Sequence, residues 1–286
     1  MIRAARDKLI GTATSVRYEI RVALATRSVI VWLTAGAVIY IASCLLSAYA
    51  LSNLADHCED VYVPALTAIP TNVWSLGCLG AVISGLTGPR VAGSMSFIVA
   101  PRPLTRLAGR GMAAVMLCAP VALVGQVAAS AVYSATFCGT ILPARSEVVI
   151  QTALAGVIVC CAWCLIGVMV STIFGSRVVG VGLMLAYPIV IEPMLAQGLR
   201  SLIHGDGGQT AASLLPYSAS STVLRQPAAG VGPDFFAAAP IGGGVSSAIL
   251  LGWLVLLGTV AVLADQPHGA SAGRFVGGRR NSEGKG

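Results

Sequence analysis

Residues 152–174, "TALAGVIVCCAWCLIGVMVSTIF", and residues 179–199, "VGVGLMLAYPIVIEPMLAQGL", are two apolar stretches separated by a short segment that contains Arg177. An α-helix needs about 20 residues to cross a hydrocarbon core about 30 Å thick. Both stretches reach that length, and a basic residue between them suits a turn at the cytoplasmic membrane surface. The pair therefore predicts two transmembrane helices joined by a tight turn.

The whole chain has the same character. Of its 286 residues 56% are hydrophobic and only 10% are charged, with a mean hydropathy of +0.83, whereas soluble domains carry about 25% charged residues. We predict an all-α polytopic membrane protein with six transmembrane helices, at residues 28–52, 72–88, 112–137, 152–174, 179–199 and 243–264. The second span is the shortest, and its glycines favour close packing against other helices: Gly77, Gly80, Gly85 and Gly88.

The distribution of basic residues predicts the orientation. All but three of the 18 Lys and Arg residues lie in the N-terminal arm, in the second and fourth connecting segments, or after the sixth span. The exceptions are Arg145, Arg200 and Arg225. Because Lys and Arg concentrate on the cytoplasmic side, we expect a multi-pass protein of the plasma (inner) membrane with both termini in the cytoplasm. The net charge of +7 then reflects topology and contact with membrane lipids, and it gives no support for nucleic-acid binding.

The segments outside the spans carry further expectations. Residues 1–27 have apolar positions at helical spacing, which predicts a cytoplasmic amphipathic helix, although a solvated basic arm is the alternative. The stretch 88–111 is too interrupted by Pro and Gly to form one helix, so we expect a compact element at 88–102 on the inner surface. Residues 200–242 predict an external segment with re-entrant or interfacial helices. No cleavable signal peptide is expected, and the Gly-rich tail, 265–286, is expected to be disordered.

Several kinds of chemistry find no support in the sequence. The only lysines, Lys8 and Lys285, do not follow a glycine-rich phosphate-binding loop. The three histidines, at positions 57, 204 and 268, all lie outside the predicted spans, so an intramembrane metal site built on imidazole is not expected. No Gly-x-Ser-x-Gly motif occurs. We therefore predict a chain that is not an enzyme and has no cofactor or metal of its own.

The cysteines suggest two roles. The "CCAWC" cluster at 160–164 lies in the middle of a span, where thiolates would be poorly solvated, so we expect these side chains to pack as small apolar groups. Cys58 and Cys138 alone fall in predicted external segments. They could form a disulfide if that compartment is oxidising.

Glu192 is a carboxylate inside an apolar run, directly before Pro193. Such a charge is costly in hydrocarbon. The donors removed by Pro188 and Pro193 predict that the helix bends or stops here and that Glu192 leaves helical geometry. Its carboxylate could then accept hydrogen bonds from the free amides that open the following helix. We favour an anchor for the external segment, with a direct role in cargo or proton binding as the alternative.

Four short motifs carry a resemblance to a known family. They are "EIRVALATRS" at 19–28, "TGPRVAGSMSFIVAPR" at 87–102, "IVIEPML" at 189–195 and "LLPYS" at 214–218. With the six-span pattern, they make the chain similar to the permease subunit of ABC-2 type transporters, in particular to actinobacterial members. The resemblance implies a homo- or heteromeric dimer of permeases joined to two cytoplasmic ABC ATPase subunits, which would supply ATP and Mg.

The resemblance also implies roles for particular residues. Segment 88–102 would be the coupling helix seated on the ATPase, and the ATPase-coupling positions would be Glu19, Arg27, Arg90, Gly93 and Arg102. For Arg90 and Arg102, binding of anionic lipid head groups is the alternative. The implied activity is export of a hydrophobic or amphipathic cargo such as a drug, peptide or lipid. Competing hypotheses are a non-transporting membrane scaffold or immunity or assembly factor, and a proton-coupled carrier centred on Glu192.

Overall fold

A computed structural model of the chain describes residues 2–52, 73–86, 102–133, 146–203, 206–225 and 242–265. These residues are almost entirely helical and contain no strand, so the predicted all-α class is confirmed for them. In chain order the helices are α1 (Ile2–Ala25), α2 (Arg27–Ser52), α3 (Val73–Leu86), α4 (Pro103–Tyr133), α5 (Ser146–Phe174), α6 (Arg177–Ala186), α7 (Glu192–Leu202), α8 (Asp206–Ser213), α9 (Pro216–Arg225) and α10 (Gly243–Ala264). A π-helical turn, Tyr187–Ile191, joins α6 to α7.

Four of the described helical segments are long and apolar enough to cross a membrane. They are Pro103–Ala128 in α4, Ala153–Phe174 in α5, the continuous α6–α7 stretch Arg177–Leu202, and α10. A fifth arises if the end of α1 and most of α2 count as one span broken by an 88° bend. The membrane character predicted from composition is confirmed, with four or five candidate spans in this part of the chain where the sequence predicted six.

Helix α3, the second predicted span, is not among these candidates. It has 14 residues, which at about 1.5 Å per residue reach only about 21 Å. The helix packs against α2, α4, α5 and α6. Its side chains are almost all buried between Leu76 and Ile83. Helix α3 is therefore a central element that faces other helices.

Glycines allow α3 and α5 to approach at backbone distance. A Cβ atom added at Gly80 would overlap the backbone carbonyl of Cys164, and one added at Gly167 would overlap the carbonyl of Gly77. Small residues permit this approach in membrane helices, where dispersion contacts drive association. The sequence-based expectation holds for Gly77 and Gly80. Gly88 lies outside the described residues.

The turn between α5 and α6 agrees with the tight turn predicted between residues 152–174 and 179–199. Gly175 ends α5 with a φ of 61°, a left-handed conformation that glycine adopts without a Cβ clash. Ser176 then caps α6, because its side chain accepts a hydrogen bond from the Val179 amide. The two long apolar helices are thus joined by a tight turn beside Arg177.

Helix α4 corrects the expectation for residues 88–111. The part from Pro103 onward is the beginning of a 31-residue helix. Proline suits the first helical position, where its missing amide hydrogen has no partner to lose. Residues 87–101 lie outside the described residues, as do 226–241 of the external segment and 266–286 of the tail.

The α3–α5 contact yields a stability prediction. Gly80→Ala forces a methyl group against the Cys164 carbonyl, so we expect a loss of about 1–3 kcal/mol and a lower melting temperature for the purified protein in detergent. Gly252→Ala is the matched control, because a Cβ there meets nothing within 4 Å and alanine favours helix formation. Equal melting temperatures for the two variants would contradict the close α3–α5 packing.

Candidate functional site

Carboxylates are buried at two places in the described structure. Glu19 and Asp265 are 1% and 6% exposed and lie together, whereas Glu192, 2% exposed, lies elsewhere. Burial of a charged group is costly unless it is paired or hydrogen-bonded. We call the first place the charge cluster, formed by Glu19, Arg106, Arg110 and Asp265, and the second the Glu192 cap, formed by Glu192, Tyr217 and Ser218.

The charge cluster joins three separate helices. Arg106, on α4, donates from Nε to Asp265 Oδ2 at 2.9 Å and from its terminal NH2 to the Asp265 carbonyl oxygen at 2.9 Å. Arg110, one turn further along α4, lies 3.7 Å from Glu19 Oε1 on α1 and 3.7 Å from Asp265 Oδ1. Asp265 directly follows α10. The cluster therefore links α1 and the end of α10 to the beginning of α4.

The formal charges of the cluster cancel. Two guanidinium groups face two carboxylates, and all four side chains are almost fully enclosed. Removing one partner from such a buried set leaves an uncompensated charge, at a cost of about 3–5 kcal/mol. Arg106 also places a positive charge against the carbonyl end of α10, which complements the helix dipole. The arrangement is stable as a set and sensitive to the loss of any member.

A close helix crossing brings Glu19 within reach of α4. The face of α1 that contains Ser15, Glu19 and Ala23 is buried, and these positions share one side of a helix. A Cβ atom added at Gly109 of α4 would overlap the Ser15 side chain. Glycine at 109 thus allows α1 to lie against α4.

The residues predicted to couple to an ATPase differ in their exposure. Glu19 is enclosed in the charge cluster, so its carboxylate has no exposed surface for a direct contact with another subunit. Arg27, at the beginning of α2, and Arg102, just before α4, are exposed. Arg90 and Gly93 lie outside the described residues.

Arg106 and Arg110 were missed as site residues. The predicted spans leave both in the connecting segment before residue 112, whereas they lie in α4 and are 1% exposed. Their spacing of four residues puts both on one helix face. Together with Asp265 at the end of the sixth apolar run, that spacing is the signal that could have identified them.

The Glu192 cap is a set of hydrogen bonds to the amino end of α9. Glu192 Oε2 accepts from the Tyr217 amide at 2.9 Å, and Oε1 accepts from the Ser218 amide at 2.6 Å and from Ser218 Oγ at 2.7 Å. The amides of a helix's first turn have no partner within the helix. A carboxylate there satisfies them and complements the positive end of the helix dipole. Glu192 thereby ties the amino end of α9 to the beginning of α7.

Two tryptophans also hold α9 and the α8–α9 connection. Trp163 of α5 donates from Nε1 to Ser220 Oγ at 3.0 Å, and its ring packs edge-on against Tyr217 with centroids 6.1 Å apart. Trp253, near the middle of α10, donates from Nε1 to the Leu214 carbonyl at 2.9 Å. The α8–α9 connection therefore reaches the middle of α10.

The backbone at Glu192 differs from the prediction. The helix does not stop there, and Glu192 itself is helical, with φ −65° and ψ −44°. The π-helical turn accommodates the prolines instead: Pro188 has no amide hydrogen to donate, and the Glu192 amide bonds to the Tyr187 carbonyl across five residues. Pro193 is exposed in the first turn of α7, where its missing donor costs little.

The anchor hypothesis anticipated the type of contact but not the partner. It predicted that the Glu192 carboxylate would accept hydrogen bonds from the amides that open the following helix. The observed amides open α9, 25 residues further along the chain, and not α7, which begins at Glu192. The geometry favours the anchor over a free carboxylate.

The described cysteines pack inside the bundle. Cys44, Cys118, Cys160 and Cys164 are buried in the apolar core. Within the described residues, no three His, Cys, Asp or Glu side chains are grouped so that they could hold a metal ion. Cys58 and Cys138, the predicted disulfide pair, lie outside the described part of the chain.

A comparison with known protein families finds no match for this chain, and a comparison with characterised proteins finds none either. Function is therefore inferred from the residues and their arrangement.

The charge cluster predicts non-additive mutations. Arg106→Met or Asp265→Asn alone leaves the cluster with a net charge, so each should lower stability by about 3–5 kcal/mol. The double variant keeps Arg110 with Glu19 and is neutral again. We expect thermal unfolding in detergent to show a smaller loss for the double variant than the sum of the two single losses. Strictly additive losses would show that the four charges do not act as a set.

The Glu192 cap predicts a graded series. Glu192→Gln keeps one carbonyl oxygen for Ser218 but turns an NH2 group toward the Tyr217 amide, so a moderate loss of stability is expected. Glu192→Ala leaves all three donors without this acceptor, at about 1–3 kcal/mol for each buried donor, and should assemble poorly. Gln197→Ala, an exposed change on the same helix, is the control. Melting temperature and the yield of monodisperse protein measure the series, and wild-type behaviour of the Ala variant would refute the anchor.

Proposed function

We propose that the chain is the membrane-spanning permease subunit of an ABC transporter that exports a hydrophobic or amphipathic cargo. A drug, a peptide or a lipid would fit this class. The observation that carries the proposal is the charge cluster. It links the amphipathic helix α1, the beginning of α4 and the end of α10, and the candidate coupling element, 88–102, leads directly into α4.

The charge cluster would transmit a displacement of α4 to α1 and to the end of α10. If a cytoplasmic ATPase pushes on segment 88–102, the displacement would reach Pro103, then Arg106 about one turn later and Arg110 about two turns later. Because these side chains are paired with α1 and with the end of α10, the three helix ends would move together. Conformational changes are carried by packed elements with discrete arrangements of this kind. Exposed Arg102 and Arg27 would contact acidic groups of the ATPase.

We propose the six-span topology as part of this function. Helix α2, α3 with its flanking residues, α4, α5, the α6–α7 unit and α10 would be the spans, with both termini in the cytoplasm and the chain in the plasma membrane. Helices α8 and α9 would form an external re-entrant hairpin. The hydrogen bond from Trp253, in the middle of α10, to the Leu214 carbonyl supports a hairpin that enters the membrane to about the middle of α10.

The partners follow from the same proposal. The chain would pair with a second permease, identical or different, and with ABC ATPase subunits that supply ATP and Mg. A second copy would complete a cargo path along the dimer interface. A proton carrier centred on Glu192 is less well supported, because three donors already engage both carboxylate oxygens.

Co-purification and ATPase stimulation test the proposal. The chain, co-expressed with a candidate ABC ATPase, should isolate that ATPase and raise its ATP hydrolysis after reconstitution. Reversing the charges with Arg90→Glu and Arg102→Glu, or introducing bulk with Gly93→Trp, should lower stimulation several-fold without loss of membrane insertion. Arg177→Glu, at another exposed basic residue on the same predicted side, is the control and should retain stimulation.

The outcomes separate the hypotheses. A stable chain that isolates no ATPase supports the non-transporting scaffold, immunity or assembly role and overturns the transporter. Full stimulation in the Arg90, Arg102 and Gly93 variants would place the contact outside segment 88–102.

A further inference from the structure

A groove of about 660 Å³ runs between α1 and α4. That volume lies within the range of about 300–1,000 Å³ typical of sites for small ligands. The groove is lined by one face of α1 and by two methionines of α4: Ala13, Val16, Arg17, Ile20, Arg21, Met112 and Met116. Neither methionine is covered by the described residues, since Met112 and Met116 are 50% and 56% exposed.

The chemistry of the groove is divided between an apolar floor and a cationic edge. Met112, Met116, Ile20 and Val16 offer a flexible apolar surface, and methionine adapts well to irregular chains. The charged groups are Arg17 and Arg21, both exposed on α1. No described carboxylate forms an ion pair with either guanidinium.

The two arginines favour an anionic ligand. They are four residues apart on a helix, so their Cβ atoms are about 5–6 Å apart and both guanidiniums can reach one anion. Like charges at this spacing destabilise a helix, and a bound anion removes that repulsion. Guanidinium matches phosphate oxygens in geometry and charge.

We propose that this groove is a binding site for one anionic phospholipid. The phosphate lies between Arg17 and Arg21, and an acyl chain lies along Met112 and Met116. The right-angled bend between α1 and α2, 88°, supports this occupant, because α1 lies along the membrane surface when α2 crosses the membrane. The proposed site depends on these contacts and on the membrane character of the chain. It does not depend on the transporter proposal.

An occupied groove would also affect the charge cluster. The lipid would touch the flank of α1 next to the face that buries Glu19, so it would hold α1 against α4. Loss of the lipid would then loosen α1 and weaken the contact between Glu19 and Arg110.

Lipid retention tests the site. Wild-type protein is reconstituted in bilayers of equal parts dioleoylphosphatidylglycerol and dioleoylphosphatidylcholine, extracted into mild detergent and examined by native mass spectrometry. We expect phosphatidylglycerol to be retained in preference to phosphatidylcholine. Arg17→Gln with Arg21→Gln should lower that retention at least about tenfold, since both charge-assisted hydrogen bonds to the phosphate are lost. Arg177→Gln, at an exposed arginine away from the groove, should retain lipid as the wild type does.

A second variant tests the apolar floor while both arginines remain. Met116→Trp fills the groove and should lower phosphatidylglycerol retention, whereas excess glycerol 1-phosphate, a soluble head group, should not displace the lipid from the wild type. Equal retention in the arginine variant and the wild type would overturn the site. Unchanged retention in Met116→Trp, or displacement by glycerol 1-phosphate, would also overturn it, because the acyl chain would then not occupy the groove.

Discussion

A guanidinium or carboxylate is costly to enclose in a helix bundle unless an opposite charge or hydrogen bonds accompany it, and ion pairs meet this requirement where α1, α4 and α10 come together. Arg106 and Arg110 are carried into the interior by α4, and they require two carboxylates at short range. Glu19 and Asp265 meet that requirement from α1 and from the end of α10. The electrostatic cost of separating these groups therefore fixes where two peripheral helices lie. The close α1–α4 crossing at Gly109 follows from the same need.

The Glu192 cap meets a different requirement, which is to supply acceptors for the amides at the amino end of α9. The first amides of α9 have no acceptor within their own helix, and the Glu192 carboxylate accepts from them in a cap that contains no cation. Between the two sites, α3 and α5 pack through glycine and cysteine, with no ion pair in their described contacts. The structure thus combines a closely packed α3–α5 core with peripheral helices that specific polar contacts fasten: α1, α9 and the end of α10. In the transporter proposal, this division would let the peripheral helices respond to a partner while the core remains packed.

The features that depend on local sequence pattern could be predicted. The apolar runs predicted the helices, and α10 has the predicted bounds. Glu192 was identified because a carboxylate in an apolar run is unusual, but its partner lies 25 residues away and no local pattern reports that distance. Arg106 and Arg110 were misplaced because counting charges by position does not show pairing with Asp265, which is 159 residues from Arg106. The helical geometry at Glu192 was missed because a π-helical turn accommodates prolines that otherwise end a helix.

Hydrogen exchange measured by mass spectrometry tests most directly whether the two polar sites independently fasten the peripheral helices. Wild type, Glu19→Gln and Glu192→Ala would be compared in the same detergent. Glu19→Gln should speed exchange in residues 13–25 of α1 and leave 216–225 of α9 unchanged, and Glu192→Ala should do the reverse. These local openings are expected because exchange reports the stability of each unit separately. Unchanged exchange in α1 of Glu19→Gln, or the same change throughout the chain in both variants, would contradict the account.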